Sequence, residues 1–242
     1  MKDIAFELIG SEKIAKNTYK WILSGDTDGI RPGQFVNIKL DGFYLRRPIS
    51  VCDVMGDELT IIYKVVGKGT EKMAAMSVGE KFLALTGLGN GYDLTKSGDK
   101  PLLIGGGAGV PPMYMLCREL IEDGKKPTVI LGFNTVEEVF YKSEFEHLGA
   151  SVIIATADGS EGVKGFVTDA MADLDYTYFY TCGPEPMLRA VYNATKTSGQ
   201  FSFEERMGCG FGACMGCSCK VITGYKRICK DGPVLEKEEI LW

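Results

Sequence analysis

The sequence predicts an α/β multi-domain protein in three parts: an antiparallel β-barrel over residues 1–97, a parallel α/β region over 98–200 and a small cysteine-rich region over 201–242. Three observations lead there. The first hundred residues are short β-rich segments punctuated by Gly and Pro. The next hundred alternate apolar strands with helical stretches. Near the C-terminus, Cys209, Cys214 and Cys217 stand in Cys-x4-Cys-x2-Cys spacing, with Cys229 a short polar stretch later.

In the first part, Ile4-Ala5-Phe6-Glu7-Leu8, Thr18-Tyr19-Lys20-Trp21-Ile22-Leu23, Gln34-Phe35-Val36-Asn37-Ile38 and the run from Glu58 to Val66 are rich in β-branched and aromatic residues. Several alternate apolar with polar, as half-buried strands do. Turn residues at Gly25, Pro32-Gly33, Gly42, Gly56 and Gly67 separate them, the texture of a small barrel. Within it, Leu45-Arg46-Arg47-Pro48-Ile49-Ser50 sets two arginines before an extended dipeptide. Arginine grips phosphate oxygens with two N–H groups, and a serine three residues on can reach a flavin ring nitrogen. A surface strand with a charged start fits the same residues equally well. Gly69-Thr70 opens a helix over 71–76; it is either a phosphate seat or a plain helix start with Thr70 as N-cap,.

Ser97-Gly98-Asp99-Lys100-Pro101 marks a linker. Beyond it, strands at Leu102-Leu103-Ile104, Thr128-Val129-Ile130-Leu131, Ser151-Val152-Ile153-Ile154-Ala155 and Thr177-Tyr178-Phe179-Tyr180 alternate with helices expected over 111–123, 136–147, near 168–171 and from 184. Continuous apolar strands between helices indicate a parallel sheet covered on both faces, with ligands beyond its carboxyl edge. Gly105-Gly106-Gly107-Ala108-Gly109-Val110-Pro111-Pro112 lies where the first of these strands meets its helix. Glycines there let the backbone approach a pyrophosphate. The run departs from the dinucleotide fingerprint, with Pro112 at the third glycine position, and a tight structural turn would give the same glycines. Thr181-Cys182-Gly183-Pro184-Glu185-Pro186-Met187 ends a later strand and faces the same crevice. The stretch after the second strand, 132–138, is acidic and lacks arginine, which favours NAD over its 2′-phosphorylated relative,.

The cysteine spacing is that of a plant-type [2Fe–2S] site. Glycines at 208, 210, 212 and 216 allow a loop to wrap a cluster and leave N–H groups free to bond its sulfurs,. A structural zinc site is the competing reading, and Cys219 competes with Cys229 as the fourth ligand. Cys52 and Cys117 fit a core role.

The chain has 242 residues, 45% hydrophobic and 24% charged, with net charge −5. That excludes neither one large domain nor several small ones, and gives no basic surface for nucleic acid. No apolar run reaches a membrane span, and the N-terminus has no signal-peptide core. A cytoplasmic protein is expected, in which eight cysteines hold metal or pack as thiols rather than form disulfides,. The one histidine, His147, is expected at the surface.

Taken together, Pro32-Gly33-Gln34-Phe35, Arg47-Pro48-Ile49-Ser50, the 105–112 run, Cys182-Gly183-Pro184-Glu185-Pro186-Met187, Glu204-Glu205-Arg206-Met207-Gly208-Cys209-Gly210 and Cys229-Lys230-Asp231-Gly232-Pro233-Val234 resemble the ferredoxin–NAD(P) reductase superfamily. Within it, the chain is similar to the electron-transfer subunits of class 1B dihydroorotate dehydrogenases. The resemblance spans nearly the whole length. It implies FAD on Arg47, Pro48, Ile49, Ser50, Ile62, Tyr63, Lys64, Gly69 and Thr70, NAD at Gly106, Gly107, Gly109, Cys182, Gly183 and Pro184, and a [2Fe–2S] cluster on Cys209, Cys214, Cys217 and Cys229. Many relatives carry an aromatic where Ile49 stands, so what covers that flavin face is left open. NAD exchanges two electrons as a hydride and the cluster one at a time, so a flavin belongs between them. The resemblance further implies an FMN-containing dihydroorotate-oxidising catalytic subunit as partner, two copies of each, serving pyrimidine synthesis. No residue here is expected to touch dihydroorotate. Two alternatives share parts of the pattern: a ferredoxin- or sulfur-linked reductase subunit, and a metal-stabilised binding module without flavin.

Overall fold

The computed structural model describes residues 1–242. Strands β1 (Lys2–Ala15), β2 (Thr18–Ser24), β3 (Phe35–Ile38), β4 (Arg47–Met55), β5 (Glu58–Lys64) and β6 (Lys81–Leu88) close a barrel in the order β1-β2-β5-β4-β3-β6. Length in β1 makes closure possible. Its first residues pair with β6, Lys2 opposite Thr86 through Glu7 opposite Lys81, and the rest pairs with β2 as far as Ala15 opposite Thr18. Register shifts at Leu8/Gly10 and Lys13/Ala15 bend it between the two partners,.

The period-two alternation sorts the barrel residues onto two faces. Phe6, Leu8, Trp21, Leu23, Val36, Ile38, Val51, Leu59, Ile61 and Tyr63 fill the interior, each side chain contributing about 1.5–3 kcal/mol by leaving water. Phe35, Cys52 and Ile62 belong instead to the cores shared with the rest of the molecule. Asn37 and Pro48 sit opposite each other on β3 and β4, as do Phe35 and Ser50. This outward face of β3, β4 and β5 is the one the later elements pack against.

A seven-stranded sheet follows, in the order β10-β9-β8-β7-β11-β12-β15. Its strands are β7 (Pro101–Gly106), β8 (Thr128–Phe133), β9 (Ser151–Thr156), β10 (Val163–Lys164), β11 (Tyr178–Cys182), β12 (Gly199–Ser202) and, from the C-terminal part, β15 (Val234–Glu236). All neighbours are parallel except β15, which runs antiparallel to β12 with Phe201 opposite Leu235. Chain order proceeds from β7 to one side and then returns to the other, so β7 and β11 flank a topological switch point. Helices α2 (Pro112–Glu122), α3 (Lys142–Leu148), α4 (Val167–Ala170) and α5 (Glu185–Ala194) connect these strands. The division expected at residue 200 falls inside β12, and β15 returns the third part of the chain to the edge of the second. Between them lie a loop and the hairpin β13 (Ser218–Val221) and β14 (Gly224–Arg227).

Two helices differ from expectation. The one expected over 136–147 is a single 3-10 turn, Val136–Glu138, and then α3. Phe140 turns in against Phe133, and Tyr141 takes a left-handed φ of 66° that breaks any continuous helix,. In the barrel, α1 (Lys68–Ala74) begins before Thr70, so Thr70 is not its N-cap. The Thr70 hydroxyl accepts the N–H groups of Val66 and Gly67 from within the first turn.

Arg118 of α2 joins the two large parts, donating to Asp53 of β4 at 2.9 and 3.1 Å. Lys64 of β5 bonds Glu138 at 2.8 Å, and Lys16 bonds Glu137 at 2.7 Å. No helix is long and apolar enough to cross a membrane.

Candidate redox site

The cysteines near the C-terminus assemble as two pairs. The Cys209 N–H donates to Cys214 Sγ at 3.5 Å and the Cys214 N–H to Cys209 Sγ at 3.4 Å. Twelve residues apart in the chain, Cys229 N–H donates to Cys217 Sγ at 3.4 Å. Cys209 and Cys229 are close enough to act on each other electrostatically. No three Cys, His, Asp or Glu side chains converge on a single point as one metal ion would require. Two pairs can supply the two thiolates per iron that a binuclear cluster needs,.

The loop's backbone is arranged for anionic sulfur. Phe211, Ala213 and Cys214 all point N–H groups at Cys209 Sγ, at 3.5, 3.2 and 3.4 Å. Burial pushes that thiol up, but these donors outweigh it and bring it down to about 6,. Cys229 is buried and pushed up to about 12 by desolvation and by its Cys217 neighbour, so its thiolate calls for a positive partner. Gly210, at φ +78°, suits glycine, and a Cβ there would lie 2.3 Å from Asn37 Nδ2, so a larger residue would force the loop or the amide to shift,. Cys219 sits on β13, half-buried, and lines a separate cleft with Lys220, Arg189 and Trp242, outside both pairs. Cys52, Cys117 and Cys182 are buried, and His147 is exposed.

At the switch point the carboxyl ends of β7, β8, β9 and β11 open into a cleft of about 520 Å³. Gly106, Gly107, Gly109, Gly183 and Pro184 line it. Gly107 has φ +52° and nothing within 4 Å of where a Cβ would stand, so its bare backbone faces the space. Gly109 serves packing instead: a Cβ there would lie 2.1 Å from the Cys182 carbonyl oxygen. Cys182 is not among the residues lining the cleft: its thiol is buried in the core and held protonated by desolvation, and its carbonyl packs on Gly109. The cleft has no arginine in its lining; its charged residues are Lys64, Glu138 and Glu204. Glu138 accepts from Lys64 at 2.8 Å and from Asn134 Nδ2 at 2.9 Å, and the Lys64 bond lowers its carboxyl pKa. Glu204 is reached by solvent but sits in concave surroundings that raise its pKa.

The third arrangement lies on β4, β5 and α1. Of the two arginines, Arg46 is engaged by Asp3 at 2.9 and 3.1 Å. Arg47 lies against α1: a Cβ on Gly69 would stand 2.0 Å from its Nε. Its guanidinium also stacks over Phe43 at 4.6 Å. One guanidinium thus meets a glycine-threonine turn, a cradle that suits a diphosphate. Ile62 and Lys64 point outward from β5, whereas the Tyr63 ring enters the barrel interior, edge-on to Trp21 at 5.3 Å. Only the Tyr63 backbone reaches the outer face. Ile49 likewise packs against the barrel interior.

Asn37 connects these arrangements. It is buried on β3, opposite Pro48, and its Nδ2 donates to the Cys209 carbonyl at 3.4 Å. Its Oδ1 is a buried acceptor without a partner, on the strand paired with Pro48. On the other side of that face, Gly107 and Ala108 share a narrow cleft with Ile62 and Lys64. Sequence reading did not single out Asn37, although a buried amide among alternating apolar residues is a usable signal. It also passed over Arg227, which ties the cysteine loop to the segment after β14.

Comparison with known proteins gives the family. Residues 204–241 match the iron–sulfur cluster binding domain of dihydroorotate dehydrogenase B, and residues 103–193 match the oxidoreductase NAD-binding domain. The chain is 42% identical to the dihydroorotate dehydrogenase B (NAD(+)) electron transfer subunit of Shouchella clausii, over 97% of this chain and 96% of that one. It is 46% identical to the Fusobacterium nucleatum subunit of the same name, over 92% of each. Among solved structures, a chain of the NADH-dependent reduced ferredoxin–NADP oxidoreductase superposes with TM-score 0.90 at 29% identity, covering 98% of this chain and 90% of that one. An Amycolatopsis cytochrome P450 reductase, at TM-score 0.71 and 19% identity over 80% of this chain and 65% of that one, shares the fold.

Proposed function

The chain belongs to the family of dihydroorotate dehydrogenase B (NAD(+)) electron transfer subunits, and from that premise we propose that it carries electrons from dihydroorotate oxidation, through a [2Fe–2S] cluster and FAD, to NAD+. The observation that carries the reading is the position of Asn37. One buried amide touches the Cys209 carbonyl and lies on the strand paired with Pro48 and Ile49. The cysteine loop therefore seats directly against the flavin-binding strand.

In this reading Cys209, Cys214, Cys217 and Cys229 ligate the cluster, with one of the observed pairs on each iron. FAD is held by Arg47 and the Gly69-Thr70 turn at its diphosphate. Pro48, Ile49 and Ser50, with the 62–64 segment, border its ring and ribityl chain. FAD supplies the exchange between single electrons and a hydride. NAD lies over Gly106, Gly107 and Gly109, with Gly183 and Pro184 opposite. Glu138, held anionic by Lys64, disfavours a 2′-phosphate there. The chain's own groups bind, orient and exclude water; none moves a proton on dihydroorotate. Residues 1–97, 98–200 and 201–242 serve as the FAD, NAD and cluster units. The partner is an FMN-containing catalytic subunit, with two copies of each chain in the assembly. The complex works in the cytoplasm, a reducing compartment that suits a chain whose eight cysteines form no disulfide,.

The test is co-purification with the catalytic subunit, cofactor analysis and dihydroorotate-dependent NAD+ reduction. Iron, acid-labile sulfide and FAD in the chain, with reduction only in the complex, are expected. A sample holding iron, sulfide and FAD that accepts electrons from ferredoxin but not from the dihydroorotate-oxidising subunit would overturn the partner assignment. A colourless zinc protein would overturn the whole.

A further inference from the structure

Arg227, the last residue of β14, makes an unusual set of bonds for a hairpin arginine. Its Nε and Nη2 donate to the two oxygens of Asp231 at 2.8 and 3.0 Å. The Arg227 backbone N–H donates to the same carboxylate at 3.0 Å. With the fork fixed by this bidentate pair, the remaining nitrogen, Nη1, reaches across to the Gly212 carbonyl oxygen at 3.0 Å. The Lys230 stem covers the other side of Gly212, where a Cβ would stand 2.6 Å from Lys230 Cδ.

The Gly212 carbonyl and the Ala213 N–H belong to one rigid peptide plane and point in opposite directions. That Ala213 N–H is the shortest of the three donors to Cys209 Sγ, at 3.2 Å. A guanidinium on one end of a peptide polarises it and strengthens the bond at the other end. Asp231, Arg227, the 212–213 peptide and Cys209 thus form one continuous chain of hydrogen bonds. Donors to cluster sulfurs and nearby positive charge favour the reduced state and raise the reduction potential.

We propose that Arg227 is a positioning residue that sets the reduction potential of the cluster by orienting and polarising the Gly212–Ala213 peptide toward Cys209. This rests on the reading of Cys209 as a ligand, and it assigns the residue a role that the ligand set alone does not supply. Arginine suits the site because its donors lie on three nitrogens of a rigid fork, which hold both Asp231 oxygens and reach Gly212 at once; the three N–H groups of a lysine share one nitrogen and do not reproduce that span,.

The experiment compares the intact complex with R227K, R227Q and K230Q, the last removing a nearby charge without touching the peptide's bond. Iron and sulfide are measured first; their absence from the parent complex would defeat the ligand reading before any variant is considered. Cluster midpoint potentials are then taken by spectroscopically monitored redox titration. R227Q is expected to lower the reduced-to-oxidised ratio at fixed ambient potential about tenfold, a shift of about 59 mV for one electron. R227K should shift in the same direction and K230Q by clearly less. Unchanged potentials in R227Q and R227K overturn the proposal, and so does an R227K equal to the parent, or a K230Q shift as large as that of R227Q, because charge alone would then suffice. Should either Arg227 variant lose its cluster, hydrogen exchange on the metal-free chain decides. Faster exchange of the Ala213 amide than in the parent, with β7 to β9 unchanged, supports the proposal, and an unchanged Ala213 rate overturns it.

Discussion

Asn37 and Cys209 are 172 positions apart, yet the side-chain amide of one meets the main-chain carbonyl of the other at 3.4 Å. The contact docks the cysteine loop onto β3. Gly210 makes it possible by leaving room for the amide. Replacing Gly210 with Ala puts a methyl on Asn37 and forces a non-glycine residue into φ +78°; the loop must move. G210A should slow cluster-to-flavin electron transfer and shed iron more quickly on dilution, at a cost on the order of 1–3 kcal/mol for the strained backbone. Asn37→Ala, which removes one long hydrogen bond and an unpaired acceptor, should cost about 1 kcal/mol at most and keep its iron. Stopped-flow traces beside iron release rates separate the two variants.

The pairing of the thiols gives a second expectation. Cys229 shares its N–H with Cys217 Sγ, whereas Cys219 lies in the cleft with Trp242. Cys219→Ser should keep the visible absorption, iron and sulfide of the parent, and Cys229→Ser should lose most of each. A C219S protein without cluster would reverse the choice of fourth ligand.

Much of this was legible because it follows from local patterns. Alternation in 18–23 and 58–66 reported the barrel strands β2 and β5, and the glycine run at 105–109 reported the cleft. The cysteine spacing singled out the four thiols, though not how they pair. What the sequence withheld depends on contacts between distant segments. Whether Tyr63 faces a ligand or the barrel interior turns on a single step of strand register, and a one-residue change inverts it. The break at Tyr141 comes from Phe140 seeking Phe133, which no helical propensity reports. Arg227 gave no signal in the sequence, because its partner is the Gly212 carbonyl, fifteen residues earlier.

The C-terminal part is not a detachable module. β15 covers the edge of β12, with Phe201 opposite Leu235, both buried. Lys96 and Gln200 hold Glu236 from the barrel side and from β12. Ending the chain after Ser202 would expose the unpaired edge of β12 and the apolar surface beneath β15. A chain of residues 1–202 should therefore aggregate or melt well below the full chain, by thermal scanning with light scattering. A melting point equal to that of the full chain would show the two parts to be independent.

Glu138 should decide both nucleotide choice and part of the acid response. Its carboxylate is the acidic group facing Lys64 across the cleft, and the pair bridges the barrel and the nucleotide-binding sheet at 2.8 Å. Glu138→Gln leaves Lys64 without its counter-charge in a cleft that has no other cation in its lining. A 2′-phosphate would then meet a free ammonium instead of a carboxylate. The ratio of kcat/KM for NADPH over NADH in a dye-reduction assay should rise about tenfold, the order expected of one partly screened charged hydrogen bond. The same bond lowers the Glu138 pKa, first through Lys64. A carboxyl lowered on folding binds protons more weakly in the native state, so its contribution is complete above its ordinary value of 4.5 and is lost as pH falls through the lower native value,. Acid unfolding of the parent should therefore steepen below pH 4.5 relative to E138Q, the difference vanishing near neutrality only in slope and not in size,. Parallel acid-stability curves with unchanged nucleotide preference would remove Glu138 from both roles.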